Sequence, residues 1–372
     1  MHLLRLVQSQ VRLGEPLPWG VRDEHGKLLL ARGHVITSEE QLAALLARGA
    51  SVDIEEVRAA ASQAEAGKRR PVSLFGQWEQ VLWQLDRALR SVAEAGFEPR
   101  LEAVREQVEA LTLRDPDIAI WLTVRQDPKR LSIYALAHSV HCALVGLLMA
   151  RRLGWDEART HTLMRAALSM NIAILDLQGR MAAQGAPPTA PQMEMIRAHP
   201  RSGVTMLRAA GVADEAWLEA VAQHHERAGG GGYPDGLNEV GELPTVLRYI
   251  DVFMAKMAPR ALRAPLATQV AARQLYQESG GAPVSAAIIK EFGIYPPGEF
   301  VQLKSGELAV VVRRAADART PLAASVTDRH GMPSVNTVLR DTARAEFAIT
   351  GLAPDKNMVL RLPPERLFGI PE

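Results

Sequence analysis

Residues 224–237 read HHERAGGGGYPDGL. Two adjacent imidazoles and a carboxylate are followed by the glycine run Gly229–Gly232 and then by Tyr233-Pro234. Glycines without Cβ atoms break a helical pattern and let the backbone approach a phosphate or a partner closely; the same run is equally a mobile loop. Outward from this stretch, from Val72 to about Pro297, almost every segment carries helical periodicity, as in Leu82, Leu85, Ala88, Leu89 and Val92 at three-and-four spacing. Punctuation at Asp115–Asp117, Gly179–Pro188 and Gly211–Asp214 predicts roughly eight or nine helices.

The flanks change character. Residues 1–57 predict a small α+β module, with a hairpin about the charged turn Asp23–Lys27 and a helix over EEQLAALLARG, capped by Thr37 or Ser38 and ended by Gly49. The small, polar segment Ala59–Arg70 predicts a linker. After Tyr295-Pro296-Pro297, the short apolar runs Phe300–Leu303, Leu308–Val312 and Leu322–Val326, with later strands near Val359–Leu362, predict a small barrel or sandwich. The expected architecture is mainly α. Its parts are a module at 1–57, a linker at 58–72, a helical lead-in at 73–125, a helical domain at 126–292 and a β-rich domain at 293–372.

A chain of 372 residues, 47% hydrophobic and 23% charged, has room for two or three globular domains. Lys and Arg number 43 and Asp and Glu 42, for a net charge of +1, so no global field holds a nucleic acid or an anionic membrane. Any anionic ligand must be held locally. The one cysteine, Cys142, excludes an intrachain disulfide, suits a reducing compartment and reads as a small core residue. The apolar run Cys142–Ala150 is far shorter than the roughly 20 residues of a membrane-spanning helix. The opening MHLLRLVQSQ lacks a secretory pattern, so the expectation is a cytoplasmic protein without membrane insertion.

His138 sits on a helical stripe with Leu131, Tyr134, Ala135, Cys142, Val145 and Met149, so its ring points inward. Alone it reads as a satisfied core histidine. With His199 in AHPRSG, the pair His224-His225 and Asp251 in RYIDVF, it forms the set of imidazoles and carboxylate that a bundle-core metal site requires. The plainer alternative for each is a cap or core hydrogen bond.

HHERAGGGGYPDGL resembles the signature of the HD-GYP family: His224, His225 and Glu226, a glycine-rich turn, then Gly232, Tyr233 and Pro234. The resemblance extends over about 165 residues, through His138 in HSV, His199-Pro200, Asp251, and Pro259-Arg260 with Arg263. The later IYPPGEFVQLKSGELAVVV resembles the β module that often follows this domain. The resemblance implies an all-helical HD phosphohydrolase domain. Active members use two or three iron or manganese ions to hydrolyse the bacterial messenger cyclic-di-GMP, the metals polarising the phosphodiester and delivering hydroxide.

The chain departs from the family at the residues that name it. Aligning AALSMNIAIL with the family helix ending His-Asp-x-Gly-Lys puts Met170 at the histidine, Asn171 at the bridging aspartate, Ala173 at the glycine and Ile174 at the lysine. Tyr134 stands where many trinuclear members have a glutamate, and Gly229 and Met254 replace two further acids. Met170 instead continues a stripe with Leu163, Ala166, Ala167, Asn171 and Ile174, and a thioether is a poor ligand for ferrous or manganous ions.

By resemblance, no catalytic residue is assigned, and the residual metal ligands are His138, His199, His224, His225 and Asp251, for no ion or a single divalent iron or manganese. The implied ligand contacts are Arg260 and Arg263, whose guanidinium forks suit the phosphates of cyclic-di-GMP, with Gly230, Gly232 and Tyr233. The expected function is that of a degenerate HD-GYP protein, a non-catalytic signalling, sensing or interaction module in a cyclic-di-GMP pathway. One alternative is a phosphohydrolase using a reduced His-rich site. The other is a ligand-free scaffold meeting signalling proteins through the Gly-Tyr-Pro loop.

Overall fold

The computed structural model describes residues 3–5, 11, 13–23, 25–53, 56, 73–127, 130–353 and 364–370. The chain forms two compact units, Met1–Val72 and Ser73–Glu372. In the first, β1 (Leu3–Arg5), β2 (Val21–Arg22), β3 (Leu28–Leu30) and β4 (Ser51–Asp53) make an antiparallel sheet in the order β1-β4-β2-β3. The hairpin falls where the charged turn places it, with Asp23 accepting from the Lys27 N–H at 2.9 Å. Helix α1 (Glu39–Ala47) starts at Ser38, whose hydroxyl accepts from the Gln41 N–H, and ends before Gly49, whose φ of +71° is the left-handed conformation that glycine adopts without strain. Trp19, Val21, Ile36, Leu42 and Val52 form its core.

The second unit opens with α2 (Leu74–Arg90), α3 (Phe97–Arg114) and α4 (Pro116–Val124). Asp115 ends α3 and caps α4, with Pro116 at the first position of α4, where its missing N–H costs nothing. Then follow α5 (Tyr134–Arg152), α6 (Glu157–Ser169), α7 (Leu175–Ala183), α8 (Ala190–Ala209), α9 (Glu215–Gln223), α10 (Glu242–Met257), α11 (Thr268–Glu278) and α12 (Pro283–Phe292).

Helix α5 is apolar on all sides and therefore sits at the centre, against α2, α3, α4, α6, α7, α10 and α12. By length and composition it passes for a membrane span, yet 89% of that window is buried in protein, so it is a core helix. Gly146 lets α6 come close: a Cβ there would meet the Leu163 side chain at 3.3 Å.

Three readings of the sequence shift here. Where eight or nine helices are expected between Val72 and Pro297, the described residues form eleven, α2–α12, because short turns such as the one at Asp115 divide longer periodic stretches. Helix α7 runs through Gly179 and stops at Ala183, so the break is confined to residues 184–189. Helix α6 stops at Ser169, and a 3-10 turn at Ile172–Ile174 separates it from α7, so Met170, Asn171 and Ile174 are buried at a corner and do not continue one helical stripe.

Strands β5 (Phe300–Leu303), β6 (Leu308–Arg313), β7 (Leu322–Thr327), β8 (Pro333–Asp341) and β9 (Ile349–Leu352) form one antiparallel sheet in the order β8-β7-β6-β5-β9. Among the described residues no pairing joins β8 to β9, so the element is an open sheet where a barrel or sandwich was expected. The reason is legible in β6, whose valines are buried on both faces. One face packs Phe300, Val310 and Val326 against Trp121 of α4 and Leu367 of the final helix α13 (Pro364–Phe368), and the other face is closed by Phe347. Both the expected linker Ala59–Arg70 and the expected strands near Val359–Leu362 lie outside the described residues.

Charge pairs tie the sheet to the helices. Arg314 donates to Asp117 at 2.5 Å and to Glu291 at 2.6 Å, and Glu291 also accepts from Arg152 Nε at 2.8 Å. Glu291 is nearly buried, so Glu291→Ala leaves two guanidinium groups short of a partner. Because both arginines keep some solvent contact, the expected loss is about 1–3 kcal/mol, measured by urea unfolding; an unchanged midpoint contradicts this.

Candidate metal and ligand site

The site is assembled from α5, α8, α9 and α10. His138 on α5 is buried and its Nε2 lies 2.7 Å from Asp251 Oδ1 of α10. Burial by itself raises the Asp251 carboxyl, but the hydrogen bond and charge of His138, with His225 and His224 behind it, hold it well below the ordinary carboxylate range. The group is therefore an anion that accepts a hydrogen bond from His138 Nε2.

His199 and His224 are oriented by helix chemistry. Pro200 lies inside α8 and has no N–H, so the Ile196 carbonyl loses its helical donor. His199 Nδ1 takes that place, 2.5 Å from Ile196 O. His224 closes α9, where the last carbonyls lack intrahelical donors, and its Nδ1 lies 2.7 Å from Val221 O. A carbonyl only accepts, so both Nδ1 atoms carry hydrogen and both Nε2 atoms carry lone pairs. These Nε2 atoms face each other at 3.1 Å.

Two acceptors at hydrogen-bond distance need a proton or a cation between them. A proton is disfavoured: burial, then the neighbouring His224, lowers His199 to about 3, and burial lowers His224 as well. A metal ion fits. His225 completes a triad whose ligand atoms lie within 4.8 Å of one another, and its ring stacks on Tyr233 at 4.6 Å. Three neutral imidazoles suit a divalent ion with a further position left free.

The loop after His225 is shaped by packing. Glu226, part of the signature stretch but with no separate role expected, accepts from the backbone N–H groups of Asp235, Gly236 and Leu237 at 2.6, 3.1 and 3.1 Å, and so folds the loop back. A Cβ on Gly232 would lie 2.4 Å from Arg227 N and Glu226 Cα. Gly232→Ala is expected to force the loop apart and cost about 2 kcal/mol in urea unfolding, with Tyr233 displaced; a wild-type midpoint rejects this.

Residues 134–282 match the model of the HD domain. The chain is also 28% identical over 213 residues to "Cyclic di-GMP phosphodiesterase PA4108" of Pseudomonas aeruginosa, an alignment covering 56% of this chain and 51% of that protein. Together these matches support an HD domain of the HD-GYP type over this part of the chain. The chain spans about half the length of the curated relative it matches. A solved structure, Bd1817, an HDG"Y"P protein from Bdellovibrio bacteriovorus, is 15% identical with a TM-score of 0.45, covering 78% of this chain and 98% of that one.

Asn171 and Ile174, which the resemblance sets at the aspartate and lysine positions, line a cavity of about 290 Å³ together with His138, His199, His225 and Asp251. Asn171 Nδ2 is buried without a hydrogen-bond partner among the described residues. Met170, which the resemblance sets at the histidine position, is fully buried in the apolar core. Tyr134, set by the resemblance at the glutamate position, stacks on His138 at 5.6 Å and accepts a hydrogen bond from Arg260 at 2.6 Å.

The expected ligand contacts separate. Arg260 and Tyr233 line the cavity, and Arg260 Nε has no partner among the described residues. Arg263, Gly230 and Gly232 are not on the cavity wall. Arg263 is exposed and donates to the Ala255 carbonyl at 2.6 Å, closing the turn that presents Arg260. Gly230, with φ of +80°, belongs to the loop's own turn. Cys142 is the residue sequence reasoning placed in the core and left there: its Sγ lies 3.6 Å from His138 Nε2. The signal was its position one helical turn after His138. A larger cavity, about 510 Å³, lies near Phe75, Trp121 and His141 and shares only Tyr134 with the HD-GYP site. Donor chemistry, not volume, selects the smaller one.

Proposed function

We propose that this HD-GYP protein is a non-hydrolysing receptor in a cyclic-di-GMP pathway, binding the dinucleotide phosphates at its histidine-lined cavity. The observation that carries the reading is Asn171: a neutral carboxamide stands in the cavity wall where a carboxylate would join two cations. Without a shared anionic oxygen, two-metal hydrolysis lacks the ligand that holds its ions together. When bound, a divalent ion on His199, His224 and His225 supplies Lewis acidity and an anion-binding charge.

The chain's own residues supply the rest. Three neutral imidazoles leave the charge of such an ion uncompensated, which favours a phosphate. Arg260 offers its unpartnered Nε from the wall, Tyr134 positions that guanidinium, and Tyr233 offers a ring face to a base. The matched relative is named a cyclic di-GMP phosphodiesterase, which supports the choice of ligand.

Calorimetry and a turnover assay on the metal-loaded chain test this. Binding of cyclic-di-GMP is expected, with affinity reduced at least about 10-fold in Arg260→Ala and little changed in Arg263→Ala, and no product. Product formation overturns the receptor reading, and absence of binding supports a ligand-free scaffold. One-metal hydrolysis is the second reading, favoured by the facing lone pairs of His199 and His224. It requires that turnover exist and vanish in His224→Ala.

A further inference from the structure

We propose that Cys142 is a metal ligand, and that His138, Cys142 and Asp251 form a thiolate-containing position for one zinc-like divalent ion, separate from the histidine triad. The inference rests on the reading of this cavity as cation-holding. His138 and Cys142 lie one turn apart on α5 and so share a face, and Asp251 meets them from α10. One ligand atom from each lies within 4.8 Å of the others. The Sγ–Nε2 separation of 3.6 Å matches the edge of about 3.6 Å between nitrogen and sulfur on one tetrahedral ion, given metal distances of about 2.0–2.1 and 2.3 Å.

The surroundings are wrong for a plain core thiol. Cys142 is fully buried, yet its sulfur lies 3.6 Å from an imidazole nitrogen and within 4.8 Å of a carboxylate oxygen. On binding, the S–H bond breaks, the sulfur–metal bond forms and that proton leaves to solvent, while the hydrogen that His138 Nε2 donates to Asp251 moves to Nδ1, freeing the Nε2 lone pair and the carboxylate oxygen for the ion. A thiolate, a carboxylate and a neutral imidazole then balance the ion's two charges. The triad of His199, His224 and His225 carries no such compensation. The two positions differ in kind: the triad draws an anion, while the sulfur-containing position is neutral and selects a borderline-soft metal over iron(II) or manganese(II).

The test uses the full chain, stripped by chelator and titrated with cobalt(II), then with zinc. A thiolate-to-cobalt charge-transfer absorption accounting for one ion per chain is expected, displaced by zinc. It is lost in Cys142→Ser and Cys142→Val, with zinc affinity at that position reduced at least about 100-fold. X-ray absorption of the zinc-loaded wild type, which needs no variant to fold, is expected to show a sulfur neighbour at about 2.3 Å. Cobalt bound without the charge-transfer band, a band that persists in a folded variant, a zinc shell without sulfur, or no metal uptake overturns the proposal. Cyclic-di-GMP binding and turnover, read on the same preparations, test the receptor reading separately, so either can fail alone.

Discussion

The double variant Met170→His, Asn171→Asp is expected to acquire cyclic-di-GMP hydrolysis, at least about 100-fold above the wild-type background. Asn171→Asp changes almost no volume, and the side chain already lines the cavity with His138, His199 and Asp251. It adds an anionic oxygen where a buried amide nitrogen now lacks a partner. Met170→His returns a nitrogen ligand of similar size at the adjoining position, which is now fully apolar. Together they supply what a two-metal centre needs: a bridging carboxylate and one more neutral donor. Iron or manganese content and dinucleotide turnover are measured together, with thermal melting as the check on folding. A folded double variant with unchanged metal content and no turnover refutes the assignment of Asn171 as the residue that disables the centre.

The metal-free chain is expected to lose stability steeply below pH 6.5. Burial lowers His141 to about 3 and His199 to about 3, and also lowers His224 and His225. Each is neutral in the folded chain and titrates near 6.5 when unfolded, so below that pH the unfolded state binds more protons. The stabilisation is whole above 6.5 and is lost as pH falls toward the folded values, by about 1.4 kcal/mol per pH unit for each histidine. Asp251 is displaced the same way, but its window lies below the ordinary carboxylate range and adds nothing here. Calorimetry at pH 7 and pH 5 is expected to show Tm falling by on the order of 10 °C. Saturating zinc moves the onset to lower pH, because the ion binds only the deprotonated ligands. A Tm independent of pH over this interval contradicts the neutral, buried cluster.

Much of the helical unit was legible because its signals are local. Three-and-four spacing marked α2, the pair Asp115-Pro116 marked the start of α4, and Ser38 with Gly49 framed α1. The sheet after residue 300 was visible as strands, but its openness was not, since what covers β6 comes from α4 and α13. In the site, His138, His199, His225 and Asp251 line one cavity with His224 beside His199, and the arginines divide: Arg260 reaches the cavity, while Arg263 holds a turn. Spacing alone treats those two alike.

By itself the sequence determined the resemblance to the HD-GYP signature and the helical character of the domain, because each is written in neighbouring residues. Only the tertiary structure decided that Pro200 and the end of α9 point two lone pairs at one another, and that Cys142 meets His138 and Asp251. The reason is distance along the chain: residues 138 and 251 stand 113 positions apart, and their approach depends on how α5 and α10 pack, which no local pattern records.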